Sequence, residues 1–384
     1  MRIAIVHDYF TQLGGAEKVA EELYRTLPNA SLFATVAFRH CMPPHLKNAR
    51  VRTSWMQNLP RISKYYRTYF LVYPFAIASL DLSKYDLVVS SSSSYAKGIR
   101  TDRDALHVCY CHTPMRWVWN YKTYSETESS GFTRDFLVPI LIRGLKSWDE
   151  EASRQPDHFV ANSKIVAERI GRAYGRSAEV IHPPIDTERF RPSAEQENYY
   201  VTLSRLVSYK RIDLAIQACT ELNKKLFVIG DGPDRNRLEA LAGPSITFLG
   251  RAPDEVVEHY VSRCRALIFP GEEDFGMAPL EVAAAGRPTI AYRAGGAVET
   301  VLENVTGIFF DEQSREHLAD AIERFEQQQW SPELIRHHSE GFSVGVFRDR
   351  FRSFLRRVGA PFPAHAWKPA PRLTVAAPVD GIFS

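Results

Sequence analysis

The stretch Gly271–Gly286, GEEDFGMAPLEVAAAG, sets two acids, Glu273 and Glu281, eight positions apart across a loop-to-helix junction. It follows the short apolar run Ala266–Phe269, a strand signal. Glu273 falls in an acidic loop, Gly276 and Pro279 fit the opening turn of a helix, and Glu281 lies inside that helix. The first backbone N–H groups of a helix have no internal partners, so they favour an anion. An acid in the loop and another within the helix would hold a sugar and a ribose on either side of a diphosphate, a geometry that suits a nucleotide-sugar enzyme. Taken alone, the pair also reads as a loop acid that caps the helix and a solvated helix acid. Position tells against that plainer reading, because Pro270 and Gly271 follow a strand end, where open α/β sheets put their ligands.

On both sides of this stretch, short apolar runs alternate with helical patterns, as in parallel sheets covered by helices. In the second half the spacing predicts strands at Tyr200–Leu203, Leu226–Ile229, Ile246–Leu249, Ala266–Phe269, Thr289–Ala291 and Gly307–Phe310, with a helix near Ile212–Thr220. In the first half it predicts strands at Ile3–Val6, Leu87–Val89, Leu106–Cys109 and His158–Val160, with Val180–Ile181 running into the breaker cluster His182-Pro183-Pro184. Helices are expected at Ala16–Thr26, entered through Gly14-Gly15, and at Ser163–Gly171, capped by Asn162 or Ser163. The polar segment Asp186–Asn198 contains Pro192 and reads as an interdomain linker. The expected fold class is α/β, with two Rossmann-like doubly wound domains facing across a cleft. Their expected limits are residues 1–190 and 191–343, followed by a helical segment at 344–358 and a Pro/Ala-rich tail at 359–384, extended or poorly ordered.

Size and composition agree with this plan. A chain of 384 residues is long enough for two domains with full cores, and 45% apolar with 24% charged residues is ordinary for a soluble globular protein. The formal net charge of +3 is too small to argue for nucleic acid. Cys41, Cys109, Cys111, Cys219 and Cys264 are scattered, and the one-residue gap between Cys109 and Cys111 matches no common metal spacing. Reduced thiols in the cytosol are the expectation. The opening MRIAIVHDYF reads as a buried first strand and not as a secretion signal. No apolar run approaches the roughly 20 residues that span a bilayer. The expected location is therefore cytoplasmic, with any membrane contact peripheral and on the inner face.

Several further groups can carry chemistry. Arg205 and Lys210 in SRLVSYKR follow a strand's carboxyl end, where Arg can grip a diphosphate bidentately and Lys as a point charge. Both would offset negative charge on a departing nucleotide; the plain alternative is a surface basic patch. Gly14-Gly15 lies between a strand and a helix and would let backbone approach a ligand, or simply turn the chain. It is not the G-x-G-x-x-G fingerprint. Gly295-Gly296, after the strand Thr289–Ala291, poses the same question. His112 in CHTPMRWVW follows a strand and could hydrogen-bond a sugar hydroxyl or a phosphate, or be a satisfied structural residue. Arg50–Phe75 carries Arg50, Arg52, Arg61, Lys64 and Arg67 with no acid, interleaved with Trp55, Tyr65, Tyr66, Tyr69, Phe70, Tyr73 and Phe75. That mixture suits a membrane-facing patch, although the aromatics would equally pack in a core.

Together these motifs resemble a retaining GT-B glycosyltransferase of the family 4 type, over about residues 1–358. The carriers are Gly14-Gly15, CHTPMRWVW, SRLVSYKR, GDGPD and, most specifically, the E-x7-E pair Glu273 and Glu281. The neighbourhood of HTPMRWVW is most similar to bacterial mannosyltransferases that build O-antigen or exopolysaccharide units. The resemblance implies that Glu273 contacts donor-sugar hydroxyls and Glu281 holds the nucleotide ribose. Arg205 and Lys210 match the diphosphate-binding cations, and Gly276, Met277 and Ala278 would give backbone N–H groups to the same diphosphate. Gly15, next to Gly14, matches the glycine loop that meets donor phosphate or acceptor, and His112 the active-site histidine. The resemblance further implies no catalytic metal or other cofactor, GDP-mannose as donor, a lipid-linked or glycan acceptor, and a final helix crossing back to the first domain. A UDP-sugar-dependent enzyme of the same fold is the nearer alternative. A nucleotide-sugar epimerase, which would convert donor without acceptor, and a nucleotide-binding partner subunit without activity of its own are the further ones.

Overall fold

The computed structural model describes residues 1–119 and 138–360. The earlier portion contributes seven strands: β1 (Ile3–His7), β2 (Ser31–Ala34), β3 (Val51–Thr53), β4 (Leu87–Ser92), β5 (Leu106–Cys111), β6 (His158–Ala161) and β7 (Ala178–Val180). All pair in parallel, in the order β3-β2-β1-β4-β5-β6-β7. A second sheet is built from β8 (Tyr200–Leu203), β9 (Leu226–Ile229), β10 (Ile246–Gly250), β11 (Ala266–Phe269), β12 (Thr289–Tyr292) and β13 (Gly307–Phe310). Its order is β10-β9-β8-β11-β12-β13, again all parallel. Strands such as IAIVH and ALIF are buried along their whole length, because helices cover both faces of a parallel sheet. The α/β doubly wound expectation holds, and all six strands read from the second half are present.

β2 and β3 are not among the strands read from the sequence. β3 is only three residues long with an exposed arginine at its centre, so neither alternation nor an apolar run marks it. In both sheets the strand order reverses, between β1 and β4 and between β8 and β11. Adjacent crossovers leave in opposite directions there, which opens a crevice at the strands' carboxyl ends.

Helix Val344–Arg357 leaves the second lobe and packs on the first. Phe347, Phe351, Phe354 and Leu355 share a buried cluster with Ile3, Ile5, Leu32 and Tyr110. Burying each such side chain contributes roughly 2 kcal/mol. Beside it the chain passes between lobes twice, and Ile185 N–H donates to the Phe342 carbonyl at 2.9 Å. The segment Arg50–Phe75 divides its aromatics: Tyr73 is buried with Met56 and Ile62, while Trp55, Tyr65 and Phe75 stay exposed, Phe75 by 71%. All five cysteines are free thiols. No described helix is long and apolar enough to cross a membrane. The Pro/Ala-rich tail, apart from Gly359 and Ala360, lies outside the described residues.

Candidate active site

The two crevices face each other. A Cβ added to Gly15, at the start of helix Gly15–Thr26, would stand 3.0 Å from the Met277 sulfur, at the start of helix Met277–Ala284. Lys18 Nζ donates to Glu281 Oε1 at 2.8 Å, and Arg205 donates to Gln12 Oε1 at 2.9 Å, so side chains of both lobes meet across the gap.

Glu273 sits in the loop after β11 and is ion-paired to Lys210. Lys210 ends the short turn Ser208–Lys210, and Arg211, with φ of 51°, swings the chain into helix Ile212–Glu221. The loop lies against that turn because residue 271 is glycine: a Cβ there would stand 2.8 Å from the Lys210 backbone. Gly295-Gly296 does the same from the other side. A Cβ on Gly295 would be 2.2 Å from the Glu273 carbonyl, one on Gly296 2.2 Å from Phe275 Cα, and Gly296 N–H donates to the Glu273 carbonyl at 2.7 Å. The question that the sequence left open for this glycine pair has a structural answer: it is the bed on which the acidic loop rests.

Gly276 caps the next helix at φ of 81°, a left-handed conformation suited to glycine. The N–H groups of Met277 and Ala278 fall in its first turn, the place for an anion. One turn on, Glu281 is buried. Burial pushes its carboxyl up, but the charge and hydrogen bond of Lys18 prevail and hold it below the usual carboxylate range. Glu281 in turn raises the Lys18 ammonium.

His112 follows β5 and is buried, its Nε2 2.8 Å from Ser91 Oγ. The same hydroxyl lies 3.0 Å from His7 Nδ1, and His7 Nε2 is 4.0 Å from Glu17, which accepts from the Gly14 N–H at 2.9 Å. One buried polar chain therefore links the glycine loop to His112. Burial, with His7 alongside, lowers the His112 imidazole to about 3, so the ring is neutral near pH 7. Glu17, His7 and Ser91 were missed in the sequence, although the serine run Ser90–Ser94 after an apolar strand was a visible signal. Asp8 was also missed; it accepts from the N–H groups of Ser93, Tyr95 and Ala96 and fastens the end of β1 to the loop after β4.

The structure thus gathers Lys210, Glu273, Gly276, Met277, Ala278 and Glu281 on one side of the cleft, and Gly14, Gly15 and His112 on the other. The Arg205 guanidinium reaches across the cleft to Gln12 of the opposite lobe. Among the described residues no group of three or more His, Cys, Asp or Glu is arranged to hold a metal.

A family model described as Glycosyltransferase Family 4 matches residues 13–189, and one described as Glycosyl transferases group 1 matches residues 185–340. The chain is 34% identical over 192 residues to a GDP-mannose-dependent alpha-(1-6)-phosphatidylinositol monomannoside mannosyltransferase of Mycobacterium tuberculosis, covering 42% of this chain and 50% of the relative. It is 29% identical over 216 residues to a GDP-mannose-dependent alpha-mannosyltransferase of the same organism, covering 51% and 55%. The chain spans about half the length of the curated relatives it matches. Its fold is similar to that of Anabaena HepE in complex with UDP and glucose, with a TM-score of 0.66 and 18% identity over 93% of this chain and 99% of the other. With adjoining models on its two lobes and a crevice between two doubly wound sheets, the chain belongs to the family 4 type of GT-B glycosyltransferases.

Proposed function

We propose that the protein is a retaining hexosyltransferase that moves mannose from GDP-mannose to a lipid-linked or other glycan acceptor in cell-surface polysaccharide assembly, for which it needs no metal or other cofactor. The observation that carries the reading is the Lys210–Glu273 pair at the cleft wall, beside the start of the helix that carries Glu281 one turn in. A nucleotide diphosphate would lie over the N–H groups of Met277 and Ala278, with Lys210 and Arg205 meeting its charge. Glu281 would exchange Lys18 for the ribose hydroxyls, and Glu273 would turn from Lys210 to the sugar. His112 would hold a sugar hydroxyl through its neutral ring.

The acceptor hydroxyl would attack from the face the nucleotide leaves, and the departing diphosphate oxygen would take its proton. Lys210 and Arg205 stabilise the charge that grows on that oxygen. Closure of the lobes keeps water from the donor. Mannose and guanine are supported by the names of the curated relatives, while the likeness to a UDP complex supports a UDP-sugar as the second reading. The exposed aromatics and cations of Arg50–Phe75 support peripheral contact with an anionic membrane face.

Melting in the presence of GDP, UDP and ADP tests the donor, since a ligand at a hundred times its Kd stabilises by about 2.7 kcal/mol. GDP should raise the melting point most; a larger shift with UDP overturns the GDP assignment. In parallel, Lys210→Ala should lose about a hundredfold in transfer, the scale of one missing charge-stabilising donor, while melting within a few degrees of the parent. Turnover near wild type in that variant sinks the role given to Lys210.

A further inference from the structure

The acidic loop is fastened from the opposite lobe by the two residues that flank Glu273. Asp274 is ion-paired to both Arg169 and Arg116 of the first lobe, and Glu272 meets Arg169 at 2.9 Å. Arg169 lies on helix Lys164–Tyr174, and Arg116 begins the short helix Arg116–Trp119. Ser163, the N-cap of the first of these helices, donates its hydroxyl to the Asp274 carbonyl. The next residue, Phe275, stacks on the ring of His182 at 5.3 Å.

A second-lobe acid completes the clasp, because Glu299 accepts from the Lys164 N–H at 2.8 Å and from His182 at 3.0 Å. The loop therefore alternates: residues 272 and 274 turn to the first lobe, and residue 273 turns back to Lys210 in its own. Gly295-Gly296 supports the loop from its own lobe while Arg169 and Arg116 hold Asp274 from the other, so the two holds together set the direction of Glu273.

We propose that Asp274 is a positioning residue, clasped by Arg169 and Arg116, through which closure of the first lobe aims Glu273 at the donor sugar. The proposal rests on the reading of Glu273 as a donor-sugar contact. When the lobes part, both arginines leave Asp274, the loop loses its outer anchor, and Glu273 is no longer held against the sugar. Productive orientation of the donor is thereby tied to a closed cleft, where water is excluded.

The test is a double-mutant cycle with Asp274→Asn, Glu273→Ala and the pair together, read as kcat and KM for GDP-mannose and as GDP affinity. Asp274→Asn should lower kcat about tenfold or more and leave GDP affinity unchanged, because the nucleotide contacts are elsewhere. The double variant should be no slower than Glu273→Ala alone. If the two losses multiply, or if Asp274→Asn turns over like the parent, the positioning role is overturned. Full turnover of Glu273→Ala itself instead removes the reading beneath it, and the proposal with it. Should Asp274→Asn fail to fold, Arg169→Gln in the same cycle carries the test, with the same loss of kcat expected and multiplicative losses overturning it.

Discussion

His107 and His112 belong to the same stretch of chain, one within β5 and one just past its end, and burial lowers both. His107 falls to about 4 through burial, against the opposing pull of Asp157, and His112 to about 3. An unfolded histidine takes up a proton near pH 6.5, whereas these two in the folded protein remain neutral. Stability is therefore full above about pH 6.5 and falls as the pH drops from there towards 4 and then 3, because the unfolded chain binds protons that the native protein does not. At pH 5 each ring should cost about 2 kcal/mol. The depressed Glu281 carboxyl acts in the same direction at lower pH, losing its contribution as it protonates. The melting point should thus fall clearly between pH 7.5 and pH 5, and His107→Gln should remove part of that fall. A His107→Gln protein with an unaltered pH slope would contradict the buried-imidazole account. Residue types were legible in the sequence here, but their protonation was not, because it depends on burial and on neighbours such as His7 and Asp157 that arrive from elsewhere in the chain.

The loop Gly271–Phe275 and the Gly295-Gly296 turn behave as one unit. Gly296 has φ of –72°, so alanine there carries no backbone strain, yet its Cβ would stand 2.2 Å from Phe275 Cα. The loop would have to move, and an overpacked contact of this kind costs about 1–3 kcal/mol. Gly296→Ala should therefore lower the melting point by several degrees and, on the sugar-contact role proposed for Glu273, cut transfer more than GDP affinity. Transfer equal to the parent at an unchanged melting point would show that the bed is not needed. The sequence marked the glycines as special without saying for what, because the partner of the turn lies more than twenty residues away in the chain. Strand reading shows the same limit. The second sheet's central strands are continuous apolar runs and were legible, whereas β2 and β3 exist through pairing with β1 and with each other.

For the molecule as a whole, the exposed face of Arg50–Phe75 bears on where the protein works. Arg61, Lys64 and Arg67 are exposed alongside Tyr65, Leu71 and Phe75. Cations near an anionic surface gain about 1 kcal/mol each, so the triple replacement by Ser should weaken partition onto phosphatidylglycerol vesicles by about tenfold or more. Unchanged partition rejects membrane contact through this face. The sequence by itself determined the class of fold, the family, and the acids, cations and helix start proposed for the donor side, because these depend on local periodicity and short spacing within one lobe. Tertiary structure decided which groups meet: Lys18 with Glu281, Arg205 with Gln12, Arg169 and Arg116 with Asp274, and Ser91 with His112. Those contacts join residues up to 263 positions apart; all but the last exist only once the two sheets close on one another, and no local pattern encodes such a pairing.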